Sequence, residues 1–134
     1  IGFNYAWIKS TIDLDAESAS FQTNLSRPMQ GQSPYVINLQ LGYTGERNEA
    51  NLLWNRFGSR ISEVGVQGQP DVYEEAYNTV DLFYRHAFNE QWRFTFRLRN
   101  LLDSEVSFTQ GDLDTRVYQK GREALFSLEW QPLQ

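Results

Sequence analysis

A chain of 134 residues with no cysteine and a net charge of −5 is sized for a single domain, cannot form disulfides or thiolate metal sites, and lacks the concentrated positive charge of a nucleic-acid-binding surface. No apolar run approaches the length of a transmembrane helix, and the opening IGFNYAWIKS lacks the layout of a signal peptide. A membrane is not thereby excluded, because a spanning β-strand needs only about ten residues with every second one apolar and so looks hydrophilic on average.

The first element is a strand over Phe3, Tyr5 and Trp7, which alternate with Asn4 and Ala6. Successive side chains of a strand point to opposite faces, so period-two alternation sorts apolar from polar residues where a helix would mix them. A second strand carries Tyr35, Ile37, Leu39, Leu41 and Tyr43 against Asn38, Gln40 and Gly42. The third, with Leu52 and Trp54, and the fourth, with Val80, Leu82 and Tyr84, are less clean, since Leu53, Phe57 and Phe83 sit on the polar parity. The fifth is the sharpest: Trp92, Phe94, Phe96 and Leu98 alternate with Arg93, Thr95, Arg97 and Arg99. Ala124, Phe126, Leu128 and Trp130 make the sixth. The expected fold is all-β, an antiparallel up-and-down meander of about six strands forming a single region over 1–134.

The connections are unequal in an ordered way. Thr44–Ala50 and Ala87–Gln91 are short and rich in turn formers, whereas Ser10–Pro34, Phe57–Asn78 and Ser104–Glu123 are long. In a meander successive connections fall at opposite ends, so every short turn lands on one end and every long link on the other. Outer-membrane barrels have this asymmetry, with tight periplasmic turns and long extracellular loops.

Five stretches taken in order, RPMQGQSPYVINLQLGY, NLLWNRFGSRISEVG, QPDVYEEAYNTVDL, LRNLLDSEVSFTQG and YQKGREALFSLEW, resemble the C-terminal part of a TonB-dependent outer-membrane receptor. The resemblance implies a 22-stranded barrel around an N-terminal plug, in the bacterial cell outer membrane, that takes up a scarce nutrient such as siderophore-bound iron with energy drawn from TonB. Plug, TonB-contacting segment and most of the barrel are not among these residues, so TonB would be reached only through the missing plug region. Family members usually end on an aromatic residue, whereas here Trp130 is followed by Gln131, Pro132, Leu133 and Gln134. Six strands cannot close around a lumen, so the expected partners are the rest of the barrel and the plug, outer-membrane lipid and lipopolysaccharide, and an unknown small ligand.

On this reading Tyr35, Ile37, Leu39, Leu41, Trp92, Phe94, Phe96, Leu98, Phe126 and Leu128 face lipid, and Asn38, Gln40, Arg93, Arg97 and Arg99 face a polar, plugged lumen. Tyr43, Trp92 and Trp130 are expected at the periplasmic interface, where aromatic rings favour the headgroup region. The arginine row has three readings: pairing with acids on neighbouring strands such as Asp81 and Glu129, a cationic surface for an anionic substrate or the plug, or ion pairs with plug carboxylates. The rival class is a soluble all-β ligand-binding or interaction module whose aromatic parity faces a protein core.

No catalytic, cofactor or metal site is expected. His86 is the only histidine, too few for zinc, and reads as structural or interfacial. Asp13 with Asp15, and Asp112 with Asp114, lack the full calcium-loop spacing and read as solvated loop charge. Glu74 and Glu75 would point to opposite faces of a strand, with no other carboxylate marked out as a glycosidase partner, and any Ser-His-Asp arrangement would have to pass through His86.

Overall fold

The computed structural model describes residues 1–15 and 21–132. Leu133 and Gln134 of the tail expected after Trp130, and residues 16–20 of the first long link, lie outside the described residues. In chain order the strands are β1 (Gly2–Trp7), β2 (Ile12–Asp13), β3 (Ser26–Arg27), β4 (Tyr35–Thr44), β5 (Asn48–Phe57), β6 (Arg60–Glu63), β7 (Val72–Glu74), β8 (Tyr77–Ala87), β9 (Trp92–Arg99), β10 (Glu105–Gln110), β11 (Leu113–Gln119) and β12 (Glu123–Trp130). The chain is all-β, with antiparallel sheets and no helix among the described residues.

Six strands form the main sheet in the order β1-β4-β5-β8-β9-β12, each antiparallel to its neighbour. These are the six strands that the alternation predicts, and they follow one another across the sheet in chain order. The sheet is open: β1 and β12 are its two edges. The turn expected over Thr44–Ala50 is narrower than that, because β5 already begins at Asn48. Polar residues continue the strand there through cross-strand partners: Asn48 meets Tyr84 and His86, and Glu49 meets Arg85. In the other short turn the Asn89 carboxamide oxygen accepts the Gln91 and Trp92 N–H groups at 2.9 and 2.8 Å, an Asx turn that starts β9.

The long links are not plain loops. They fold into a four-stranded sheet of order β11-β10-β7-β6 and a two-stranded hairpin of β2 and β3. All buried residues among those described lie in or beside these links: Ser33, Gly58, Ile61, Gly65, Asp71, Val72, Val106 and Phe108. Val72, Val106 and Phe108 cluster, with Tyr77 of β8 packed against them. The main sheet thus contributes no buried residue, and the only hydrophobic core described sits at its long-link end. Asp71, 3% exposed, ties this module together by accepting the Gly65 N–H at 2.7 Å and the Asn24 amide at 2.9 Å. Gly65 admits no side chain, since a Cβ would collide with the Gln69 carbonyl oxygen.

NLLD, Asn100–Asp103, forms the corner between β9 and β10. Asn100 and Asp103 adopt φ of 54° and 48°, a left-handed conformation that Asn and Asp tolerate better than most residues. The corner is locked on both sides: Asp81 accepts the Asn100 N–H at 2.9 Å, the Asn100 amide donates to the Gly121 carbonyl at 2.7 Å, and Asp103 accepts the Gly121 N–H at 3.0 Å. These side chains hold the start of β12 to the end of β9.

Ile61 is 1% exposed in the link module, so Ile61→Ala is expected to cost about 2–5 kcal/mol there. Hydrogen exchange should show faster exchange in β6 and β7, with β8 and β9 unaffected, because Ile61 lies outside the cluster on which Tyr77 of β8 packs. A second expectation concerns alkaline pH. Tyr73 is raised above its ordinary value, chiefly by burial and then by Asp71. Lys120 is raised chiefly by its hydrogen bond to the Tyr77 hydroxyl at 3.0 Å. Both groups hold their protons more tightly folded than unfolded, so their contribution is complete below the unfolded values of about 10 and is lost as pH climbs through the folded values. Urea unfolding followed by tryptophan fluorescence should give a midpoint that falls above about pH 10, and Tyr77→Phe should reduce that fall.

Candidate functional site

Register carries the parity of each strand across the whole main sheet. Leu41 lies opposite Leu52, Leu52 opposite Leu82, Leu82 opposite Leu98, and Leu98 opposite Ala124. The next row is Tyr43, Ala50, Tyr84, Phe96 and Phe126. Leu39 sits between Phe3 and Trp54, Ile37 between Tyr5 and Arg56, and Tyr35 opposite Trp7. Phe94 sits between His86 and Leu128, and Trp92 faces Trp130. The residues expected to face lipid therefore share one face. Nothing in the described chain covers it: Phe3, Trp7, Phe126 and Leu128 are 70, 71, 66 and 62% exposed. Phe96 stacks on Phe126 with ring centroids 4.8 Å apart.

The apolar face has polar ends that the alternation does not announce. On β5 the outward series runs Asn48, Ala50, Leu52, Trp54, Arg56, and on β8 it runs Asn78, Val80, Leu82, Tyr84, His86. At the long-link end Arg56 donates to Asn78 at 3.1 Å and to the Tyr35 hydroxyl at 3.3 Å. At the short-turn end the Asn48 carboxamide oxygen lies 2.8 Å from both the Tyr84 hydroxyl and His86 Nδ1. On β5 and β8 the apolar band is thus closed by hydrogen-bonded polar groups above and below. His86 has a structural place here, its ring edge-on to Phe88 with centroids 4.7 Å apart.

Asn38, Gln40, Arg93, Arg97 and Arg99 occupy the opposite face, in rows with Asn55, Leu53, Glu129, Leu125 and Glu123 respectively. Arg93 pairs with Glu129 at 3.4 Å, Arg99 with Glu123 at 3.4 Å and Arg85 with Glu49 at 3.0 Å. Arg97 lies over the Phe83 ring at 5.4 Å. Asp81 pairs with no arginine and instead caps the Asn100 corner. Arg85, Arg93, Arg97 and Arg99 are balanced by Glu49, Asp81, Glu123 and Glu129 on the same face. This balance favours neighbouring-strand pairing over a cationic surface.

Trp92 and Trp130 face each other with ring centroids 6.4 Å apart. Tyr43 shares their end of the sheet but lies in the row of Phe96, nearer the middle of β9. Glu74 and Glu75 are committed separately, Glu74 to Arg60 at 2.7 Å and Glu75 to the Thr109 hydroxyl at 2.7 Å. Asp13 pairs in the β2–β3 hairpin and Asp114 opposite Thr109. Among the described residues no three His, Asp or Glu side chains converge as a metal site would require.

The two faces should differ in how they couple neighbours. A double-mutant cycle on Arg93 and Glu129, side chains 40 and 50% exposed, is expected to give a coupling of about 0.2–1 kcal/mol that shrinks with salt. A cycle on Phe96 and Phe126 should give about 0.5–1.5 kcal/mol with no salt dependence.

No family model matches the chain and no solved structure matches it, so its function has to be argued from the two faces and two ends of this sheet.

Proposed function

We propose that the chain is the C-terminal barrel portion of a TonB-dependent receptor in the bacterial outer membrane, contributing six strands to the wall of a barrel that takes up a scarce nutrient. The observation that carries this reading is the uncovered apolar face, closed at each end of β5 and β8 by polar groups. A large contiguous apolar surface marks a membrane or partner contact. A soluble sandwich or lipocalin-like barrel would bury that face under a second layer of its own, whereas here the buried residues all belong to the link module.

Dimensions support the same reading. β4, β5 and β8 have 10, 10 and 11 residues, against about 9–11 for a tilted crossing. Asn48 and Arg56 are eight positions apart, roughly 26 Å of strand, or about 20 Å of height at the roughly 40° tilt of membrane barrels. The outward apolar band of such barrels is about 25 Å tall, and the long Arg56 stem covers the remaining few ångströms by reaching towards the headgroups.

In this arrangement the short turns lie in the periplasm and the link module outside the cell. The balanced polar face lines a lumen filled by the plug, and TonB acts through that plug. Nutrient, plug and TonB meet in the assembled receptor, to which these strands supply wall. Unpaired edge groups cost several kcal/mol each in hydrocarbon, so β1 and β12 pair with further strands.

Membrane-folding titrations of the assembled receptor test the reading. Phe96→Arg is expected to destabilise it by about 2–4 kcal/mol, and Thr95→Arg on the opposite face by far less. Equal costs, or a detergent-free monomer in plain buffer, would return the chain to the soluble class.

A further inference from the structure

A cavity of about 530 Å³ opens where the end of β1 meets the β2–β3 hairpin and the β6–β7 pair. That volume lies within the range of small-ligand sites. Its lining holds three cations, Lys9, Arg27 and Arg60, and no carboxylate. Arg60 is neutralised by Glu74 at 2.7 Å. Lys9 and Arg27 have no ion-pair partner among the described residues.

Arg27 is the most informative of them. Its Nη1 is taken by Gln22 Oε1 at 2.8 Å and the Asn24 carbonyl at 3.2 Å, which anchors the guanidinium. Its Nε is buried with no hydrogen-bond partner among the described residues. A buried, unmet donor on a cation costs more than a neutral one. An oxyanion would meet that donor, and arginine suits phosphate and carboxylate alike.

Charge and shape narrow the ligand. A phosphate monoester carries about −1.5 to −2 at pH 7 with three acceptor oxygens, which matches two cations better than a single carboxylate does. Ser10, Ser26 and Ser59 add hydroxyl donors to the lining. Trp7, Ile8, Ile61 and Tyr73 add apolar surface to the lining. Trp7 is also the end of the uncovered apolar face, opposite Tyr35 and 71% exposed. The cavity therefore continues the apolar face into a cationic pocket.

We infer that this cavity binds the phosphate headgroup of an amphiphile, with the phosphate on Arg27 and Lys9 and the apolar part passing Trp7 onto the outer face. That the amphiphile comes from the surrounding membrane rests on the reading above; the chemistry of the pocket does not.

Phosphorus NMR titrations with phenyl phosphate and with inorganic phosphate separate an organic monoester from the free ion. Phenyl phosphate is expected to bind at least about tenfold more tightly, because only it uses the apolar wall. Arg27→Gln should weaken it by about tenfold or more, as loss of a charge-assisted bond implies, and Arg27→Lys should recover part of that loss. Lys9→Gln, at an exposed position, should weaken binding without disturbing the fold. Native mass spectrometry of the detergent-solubilised receptor should retain phosphatidic acid over phosphatidylcholine, and lose that preference in Arg27→Gln. Wild-type affinity in both Gln variants would overturn the inference, as would inorganic phosphate binding as tightly as phenyl phosphate. Arg27-dependent phenyl phosphate binding in a detergent-free soluble monomer would support the pocket while removing the membrane reading.

Discussion

An antiparallel sheet satisfies its own backbone only between its strands. Its two faces and two outer edges have to be met by something else. In this chain the main sheet spans six strands from β1 to β12 and buries none of its residues. Apolar surface contributes roughly 25 cal/mol per Å² when removed from water, so the exposed Phe3 and Trp7 on one edge strand and Phe126 and Leu128 on the other represent stabilisation that the chain gains only against an apolar surrounding. The rest of the architecture follows from that deficit.

The two ends of the sheet deal with it differently. At one end the turns are tight, and the Asn89 side chain is enough to reverse the chain. At the other end the links build a core of their own around Val72, Val106 and Phe108. Tyr77 joins the two parts, since it begins β8, packs on that core and holds Lys120. The Asn100–Asp103 corner does the same for β9 and β12 by binding Gly121 on both its N–H and its carbonyl. The link end is therefore fastened by packing and side-chain hydrogen bonds, and the sheet itself by its ladder.

The polar face carries little net field because its four arginines are balanced by four carboxylates, three of them in direct ion pairs. Half-exposed ion pairs of this kind add little stability. Their effect is on register: moving β12 by one residue against β9 would break both Arg93–Glu129 and Arg99–Glu123 and turn Phe126 and Leu128 to the opposite side. Charge and apolar pattern thus enforce the same alignment. Lys9 and Arg27, which have no ion-pair partner among the described residues, lie elsewhere, in the pocket at the link end.

Alternation is a local property with a period of two, so the sequence alone determined the six main strands, the parity of Phe96 against Thr95, and the sorting of short turns from long links. It could not disclose the link sheet. β7 has three residues and β11, LDTRVYQ, leaves its Leu113 and Val117 exposed, and the core forms only when Val72 meets Val106 and Phe108 from a different link. Partners were equally hidden. Asp81 was a reasonable mate for an arginine until the β9 corner placed the Asn100 N–H against it. The polar closure of the apolar band by Arg56 with Asn78 and by Asn48 with His86 depends on pairs 22 and 38 positions apart. Only the tertiary structure decided those contacts, because a hydrogen bond between strands is set by register and chain reversal, neither of which is written in the spacing of residues along one strand.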